Sequence, residues 1–194
     1  AALRPMTELE FEKACRGPLP PVANEYAWGD TILKPPAGEK DLNTSREVPV
    51  KGNCSSGGET YSKYGPFRSG SFADIAEGRT NIGAAYCGAL DMSGNMAERS
   101  VTVGNPQGRV FTGLHGDGNL SENGHANVEA WPGLDEGEVI GAVGIGTRGG
   151  HWLFSRRRHK VASHYLWTSD RGNAVAIVNG RYRVNGGRGA RTAP

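Results

Sequence analysis

The sequence predicts an α+β domain in which few helices and short strands are joined by long ordered loops. Thirty of its 194 residues are glycine and 11 are proline, whereas the charged and aromatic fractions, 22% and 8%, are ordinary. That combination indicates turns rather than disorder. Residues 31–79 and 104–143 are loop-dominated, rich in glycine and polar residues. We predict one domain over residues 1–194, large enough to bury a core and forming the C-terminal part of a longer chain.

The first helix is predicted by its capping residues. Thr7 and Glu10 have the spacing of a capping box, in which each side chain accepts a hydrogen bond from the other residue's backbone. Gly17 followed by Pro18 ends the helix, which therefore covers about residues 8–16. The side chains predicted to pack are Leu9, Phe11, Ala14 and Cys15.

Strands are predicted only in short pieces, at residues 47–50, 67–70 and 99–103. The aromatic stretch 26–29 (YAWG) is predicted to be held beneath a loop.

Charge and cysteine content exclude several classes of protein. The 22 basic and 20 acidic residues give a net charge of +2, which is too balanced for a general nucleic-acid binder. No run of 18 apolar residues could span a membrane. Three cysteines do not make a disulfide framework, and Cys15 is expected to pack as a small apolar residue. The redox compartment is left open.

The most unusual stretch is residues 147–192. Its ends, 148–152 and 186–192, are rich in glycine and arginine, and we call these two segments the frame. Between them, aromatic, aliphatic and basic residues follow neither the strand nor the helix period. From 148 to 191 the only acidic residue is Asp170. Because Tyr, Trp and Arg contribute most to interfaces, we predict a binding face here.

Three segments resemble the formylglycine-generating-enzyme family, whose domain is a variant of the C-type lectin fold. They are 3–17 (LRPMTELEFEKACRG) continuing to 26–29, then 91–98 (DMSGNMAE), then 148–152 (RGGHW) closed by 187–192 (GRGART). They occur in the family's order and span most of the chain. The resemblance implies a C-type lectin fold of the formylglycine-generating-enzyme subtype.

The family's oxidase holds copper(I) through two cysteines in the C-terminal segment, since soft thiolates suit that ion. Residues 148–194 contain no cysteine, and the three present lie elsewhere, at Cys15, Cys54 and Cys87. The histidines form no recognised metal-binding spacing; they are His115, His125, His151, His159 and His164. We therefore predict that the protein is not an enzyme and needs no cofactor, with a metal-dependent oxidase as the alternative.

The family also binds calcium near its central motif, and Asn95 and Glu98 match the asparagine and glutamate of that motif. Their oxygens suit a hard cation. The alternative is that both side chains only tie the turn to the strand through hydrogen bonds.

The C-terminal segment is further similar to the variable region of diversity-generating retroelement proteins, which display a hypervariable ligand-binding surface on this fold. That resemblance implies that residues 148–192 are a variable region, with Arg148, Trp152, Arg188 and Arg191 as scaffold. The predicted ligand-binding residues, here called the display residues, are Leu153, Phe154, Ser155, His164, Tyr165, Leu166, Trp167, Ile177, Val178, Arg181, Tyr182, Arg183 and Val184. The alternative for Phe154, Leu166 and Trp167 is burial in the core.

The function expected from these observations is non-catalytic binding, for receptor recognition or adhesion, at a cell or virion surface. The expected partner is a protein or another macromolecular surface ligand, with neither nucleic acid nor a membrane span involved. A structural domain of a surface assembly, with the C-terminal face buried against a sister subunit, is the further alternative. The sequence leaves the ligand and the oligomeric state open.

Overall fold

The computed structural model describes residues 3–57, 65–153, 162–175 and 182–192. Within these ranges the protein is α+β with few helices and short strands, as predicted, and its longest described strand has five residues. In chain order the described elements are β1 (Arg4–Pro5), α1 (Glu8–Arg16), β2 (Glu39–Lys40), β3 (Val48–Pro49), a 3-10 helix (Ser71–Asp74), α2 (Arg79–Ile82), β4 (Ala97–Val101), α3 (Pro106–Arg109), β5 (Leu134–Asp135), β6 (Glu138–Val139), β7 (Ile145–Arg148), a 3-10 helix (Ala162–Leu166), β8 (Asn185–Gly187) and β9 (Gly189–Ala190).

Helix α1 begins and ends where the sequence predicts. The Glu10 amide donates to Thr7 Oγ1 at 3.1 Å, and the Thr7 amide donates to Glu10 Oε2 at 2.9 Å, so the capping box is complete. Gly17 ends the helix with φ of 62°, a left-handed value that favours glycine.

The buried face of α1 differs from the predicted one. Phe11 and Cys15 are buried as expected, but Leu9 is 63% exposed. Glu8 takes the inward position instead, with only 1% of its surface exposed. The prediction for Leu9 is therefore wrong. Glu8 faces the interior because it pairs there with arginines from distant parts of the chain, and Leu9 then faces solvent.

A three-stranded sheet joins the central motif to both ends of the C-terminal segment. Strand β4 pairs antiparallel with β7, placing Glu98 opposite Arg148, and parallel with β8, placing Glu98 opposite Gly186. The chain termini meet in a second pair, β1 with β9, in which Arg4 lies opposite Ala190. Both parts of the frame are thus fixed by backbone pairing.

The core contains the aromatic stretch that the sequence places beneath a loop. Tyr26 and Trp28 are buried and stack with ring centroids 4.9 Å apart. They form one cluster with Cys54 and Leu166. A second cluster forms under α1 around Phe11, Cys15 and Met92.

The observed strands differ in part from the predicted ones. The strand predicted at 47–50 is confirmed in short form as β3, and β4 begins two residues before the predicted 99–103. Residues 67–70 are not a strand: they run through a turn into the first 3-10 helix, and Phe67 is buried there by contact with Phe72. The loop-dominated stretch 104–143 contains α3 and the hairpin β5–β6. No described helix is long and apolar enough to cross a membrane.

Candidate functional site

Arg148 anchors the start of the C-terminal segment from inside the protein. Its side chain is fully buried and donates to Glu8 Oε2 at 2.9 Å and to Glu12 Oε1 at 2.6 Å. It also donates to the backbone oxygen of Thr168 at 2.6 Å. One guanidinium therefore holds α1, β7 and the stretch around Thr168 together.

Glu8 receives a second arginine from the same stretch. Arg171 donates to both carboxylate oxygens, at 2.8 and 2.9 Å, and the Val103 amide and Thr102 hydroxyl donate as well. Burial alone would raise the pKa of the Glu8 carboxyl, but these hydrogen bonds, led by that of Arg171, hold the pKa below its ordinary value. Glu8 is thus an ionised centre that fixes the C-terminal segment at two points.

The glycines after Arg148 fit where no side chain could. Gly149 and Gly150 have φ of 79° and 62°. A Cβ on Gly149 would lie 2.5 Å from the Met92 oxygen, and one on Gly150 would lie 2.9 Å from the Tyr165 oxygen. These close approaches explain why the frame requires glycine here.

The other end of the segment is fixed by Arg188. Its guanidinium donates to Glu98 Oε1 at 2.7 and 3.1 Å and to the Leu90 backbone oxygen at 2.9 Å. Arg4 adds a bond from Nε to Thr192 Oγ1 at 3.0 Å. Arg148 and Arg188 therefore have the scaffold role predicted for them, whereas Arg191 is exposed.

The residues predicted to bind calcium have other bonds in this structure. Glu98 is paired with Arg188, and Asn95 donates from Nδ2 to the Phe67 oxygen at 3.1 Å. Burial raises the pKa values of Glu98 and of the neighbouring Asp91, and the Arg188 charge opposes this in both. Calcium takes six to eight oxygen ligands, and here a guanidinium already neutralises the Glu98 carboxylate. The Asn95 Nδ2 bond and the Glu98–Arg188 pair are the contacts of the hydrogen-bonding alternative. Asn95 Oδ1, in contrast, is buried and has no hydrogen-bond partner among the described residues, so an oxygen donor remains there for the predicted calcium ion.

Within the display residues, an aromatic group lies on and beside the second 3-10 helix. The His164 ring centroid is 4.0 Å from that of Tyr165 and 6.0 Å from that of Trp167, and all three side chains are half-buried. His164 Nε2 lies 4.0 Å from Asp170 Oδ2. Leu166 differs from its neighbours, because it is 1% exposed and packs in the Tyr26 cluster. Its side chain supports this surface from below and is not part of the exposed face.

A second group of display residues follows at 182–184. Tyr182 is 56% exposed and Arg183 is exposed. The Arg183 guanidinium carbon lies 5.5 Å from the ring centroid of Trp152, a cation–π contact with a buried frame residue. Val184 is half-buried, and its backbone oxygen accepts from the Ala97 amide at 2.8 Å.

The structure brings the two groups to one short piece of the frame. Gly150 packs closely on Tyr165 and Leu166, while Trp152 packs on Arg183. Leu153, also half-buried, continues from Trp152, and its amide donates to His151 Nδ1 at 3.3 Å. The remaining display residues lie outside the described ranges; they are Phe154, Ser155, Ile177, Val178 and Arg181.

Sequence reasoning missed the residues that position this surface from behind. Glu8, Thr168 and Arg171 have no local signal, because their partners lie up to 163 positions away in the chain. The excess of arginine over acid after Arg148 was the available clue, since buried arginines require carboxylates from elsewhere.

Histidine and cysteine ionisation near this surface is controlled by burial. Burial lowers the pKa of His151 to about 4, so its imidazole is neutral at pH 7. Burial raises the pKa values of Cys15 and Cys54 to about 12.

Among the described residues, no group of three or more His, Cys, Asp or Glu side chains is arranged to hold a metal ion. Comparisons with protein-family models, curated proteins and solved structures give no match.

Proposed function

We propose that the protein is a non-catalytic binding protein whose C-terminal segment presents a recognition surface to a macromolecule on a cell or virion surface. The observation that carries the proposal is the convergence of two display groups, around Tyr165 and Arg183, on the frame segment from Gly150 to Trp152. A surface made by separate stretches on a buried, ion-paired base is preorganised. Preorganisation lowers the entropic cost of binding.

The residue types support recognition. Tyr and Trp offer large rigid areas, and Arg offers several hydrogen-bond donors, which is why these types dominate binding hot spots. Tyr182 is well exposed, and Tyr165 and Trp167 are half-buried, so aromatic surface remains accessible. The bonds of Arg148 and Glu8 beneath them do not depend on which side chains are displayed above.

The frame residues hold the structure while the display residues form the surface. This separation also supports a diversity-generating retroelement target on a C-type lectin scaffold. Such a protein needs a base that tolerates replacement of its surface residues. Here Arg148 is buried and bonded to Glu8, Gly149 packs closely against Met92, and Arg188 is bonded to Glu98; all three are frame residues.

The positions of the cysteines support binding over copper(I) oxidase chemistry. Cys15 and Cys54 lie in different core clusters, and Cys87 is exposed. A copper(I) site of the oxidase type needs two thiolates side by side.

Binding can be tested with purified protein against panels of cell-surface polysaccharides and purified surface proteins, using biolayer interferometry. We expect a partner whose signal falls at least about tenfold in the double variant Tyr182→Ala/Arg183→Ala, as expected for loss of hot-spot residues. The matched control is Ile32→Ala/Arg46→Ala, since Ile32 is equally exposed at 56% and lies outside the display residues. Equal loss in both double variants, or no partner across the panel, would contradict the proposal.

A further inference from the structure

A groove of about 520 Å³ lies apart from the display residues. Its described lining comes from three parts of the chain: the paired chain ends, with Leu3; the sheet, with Ile145; and the stretch 125–141, with Trp131 and Ile140. The volume falls within the range of small-molecule sites, about 300–1,000 Å³. None of the described display residues lines the groove.

The lining offers apolar surface with one well-fixed aromatic ring. The Trp131 indole N–H donates to the Leu114 oxygen at 2.7 Å, so the polar edge of the ring is already bonded. Leu3 and Ile140 also line the groove and are 44% and 46% exposed, so a molecule from solvent can reach both. Together these side chains suit the flat or aliphatic body of an organic molecule.

Two of the arginines that line the groove already have counter-charges. Arg4 is paired with Glu10, and Arg188 is paired with Glu98 at 2.7 Å. Neither glutamate belongs to the lining. Each guanidinium is therefore held by a carboxylate behind the groove, and neither charge is left for a ligand.

The other two basic side chains of the lining do not change this balance. Arg99 is not free either. His125, when protonated, has the Glu138 carboxylate within its electrostatic reach. A charged ligand would thus lose its hydration without gaining an unpaired opposite charge, whereas an uncharged ligand has no such cost.

The 125–141 part of the lining is held in place by backbone contacts. The Gly141 amide donates to the Gly133 oxygen at 2.8 Å, and the Val139 amide donates to the Ala126 oxygen at 2.7 Å. Gly133 has φ of 85°, and a Cβ there would collide with the Gly141 oxygen, so the hairpin closes only with glycine. A fixed lining lowers the ordering cost of ligand binding.

We propose that this groove binds a small uncharged organic molecule, whose aromatic or aliphatic body lies against Leu3, Trp131 and Ile140. The observations that carry this are the volume, the reachable apolar side chains and the paired charges of the lining. The site is additional to macromolecular recognition and does not depend on it.

The test uses the uncharged fluorescent probe N-phenyl-1-naphthylamine, whose body is aromatic. Folded protein is titrated at pH 7, with 8-anilinonaphthalene-1-sulfonate as the anionic analogue. We expect saturable binding of one uncharged probe per chain. The sulfonate should bind no more tightly than the uncharged probe, because the arginines of the groove are already paired.

Two pairs of matched substitutions locate the site. Ile140→Asp and Leu3→Asp each place a carboxylate on the apolar lining, in parts that come from different regions of the chain. Each should weaken binding of the uncharged probe at least about tenfold, because the seated probe would strip water from the new charge. The controls are Leu120→Asp and Ile32→Asp, at residues 64% and 56% exposed outside the lining, and they should leave the affinity unchanged.

Near-UV circular dichroism checks that each variant has the native fold. If Leu3→Asp does not fold, the comparison of Ile140→Asp with Leu120→Asp still decides the matter. The variant Tyr182→Ala/Arg183→Ala should keep full probe affinity, so failure of macromolecular recognition and failure of this site give different results.

Four results would overturn the proposal. They are the absence of saturable binding, tighter binding of the sulfonate than of the uncharged probe, equal effects of the groove and control substitutions, and a dimer in sedimentation that Ile140→Asp dissociates. The last result would show that a second copy of the chain covers the groove.

Discussion

Replacing Arg148 with methionine should destabilise the protein strongly, because its guanidinium is fully buried and bonded at three points. The bonds to Glu8, Glu12 and the Thr168 oxygen are 2.9, 2.6 and 2.6 Å long. Removing one member of a buried ion pair costs about 3–5 kcal/mol, mainly because the other charge stays buried. Arg171 still donates two bonds to Glu8, so we expect the lower end, about 3 kcal/mol.

Urea unfolding of wild type and Arg148→Met, followed by circular dichroism, gives this difference directly if the slope m is unchanged. The control is Arg68→Met, which removes the pair with Asp74, whose side chains are 39% and 51% exposed. Such exposed pairs contribute about 0–1 kcal/mol.

Glu8→Gln completes the comparison. It removes one of the two carboxylates that pair with Arg148, so the double variant with Arg148→Met should lose less than the sum of the single losses. Strict additivity, or a loss in Arg148→Met no greater than in Arg68→Met, would refute the idea that this buried pair anchors the segment.

Three further perturbations test other parts of the structure. Gly149→Ala should lower the melting temperature more than Gly118→Ala does. Both glycines have positive φ, but only at Gly149 would the added Cβ lie 2.5 Å from a backbone oxygen. Equal melting temperatures of the two variants would contradict this. His151 has a pKa of about 4 when folded, below its ordinary 6.5, so the unfolded chain binds a proton that the folded chain rejects. The stability that neutral His151 contributes is therefore lost as the pH falls from about 6.5 to 4. The variant His151→Asn should show a smaller drop in the free energy of unfolding between pH 7 and pH 4.5 than the wild type does. A drop equal to that of the wild type would argue against this role of His151. Because Glu98 is already paired with Arg188, we expect EDTA or added calcium to leave the melting temperature unchanged. A calcium-dependent rise of several degrees would instead support the calcium hypothesis.

The sequence was sufficient to predict structure that depends on interactions between neighbouring residues. The capping box from Thr7 to Glu10 involves residues three positions apart, and α1 has the predicted ends. Trp152, which the resemblance assigns to the scaffold, is buried.

Sequence patterns did not predict burial where contacts with residues distant in the chain determine it. Leu9 was predicted to pack and is exposed, whereas Glu8 is buried. Glu8 takes the inward position because it pairs with Arg148 and Arg171, which lie 140 and 163 positions away. Leu166 likewise lies in the core because Tyr26 and Trp28 meet it there, which no nearby pattern shows.

The most direct test of the central proposal is to sequence the region encoding residues 148–192 in many independent isolates that carry this gene. A displayed variable surface predicts substitutions concentrated at exposed and half-buried display residues such as Tyr165, Tyr182 and Arg183. Arg148, Gly149 and Arg188 should stay constant, and buried Leu166 should stay apolar. Uniform conservation across the segment, or changes spread equally over frame and display residues, would contradict a variable binding surface.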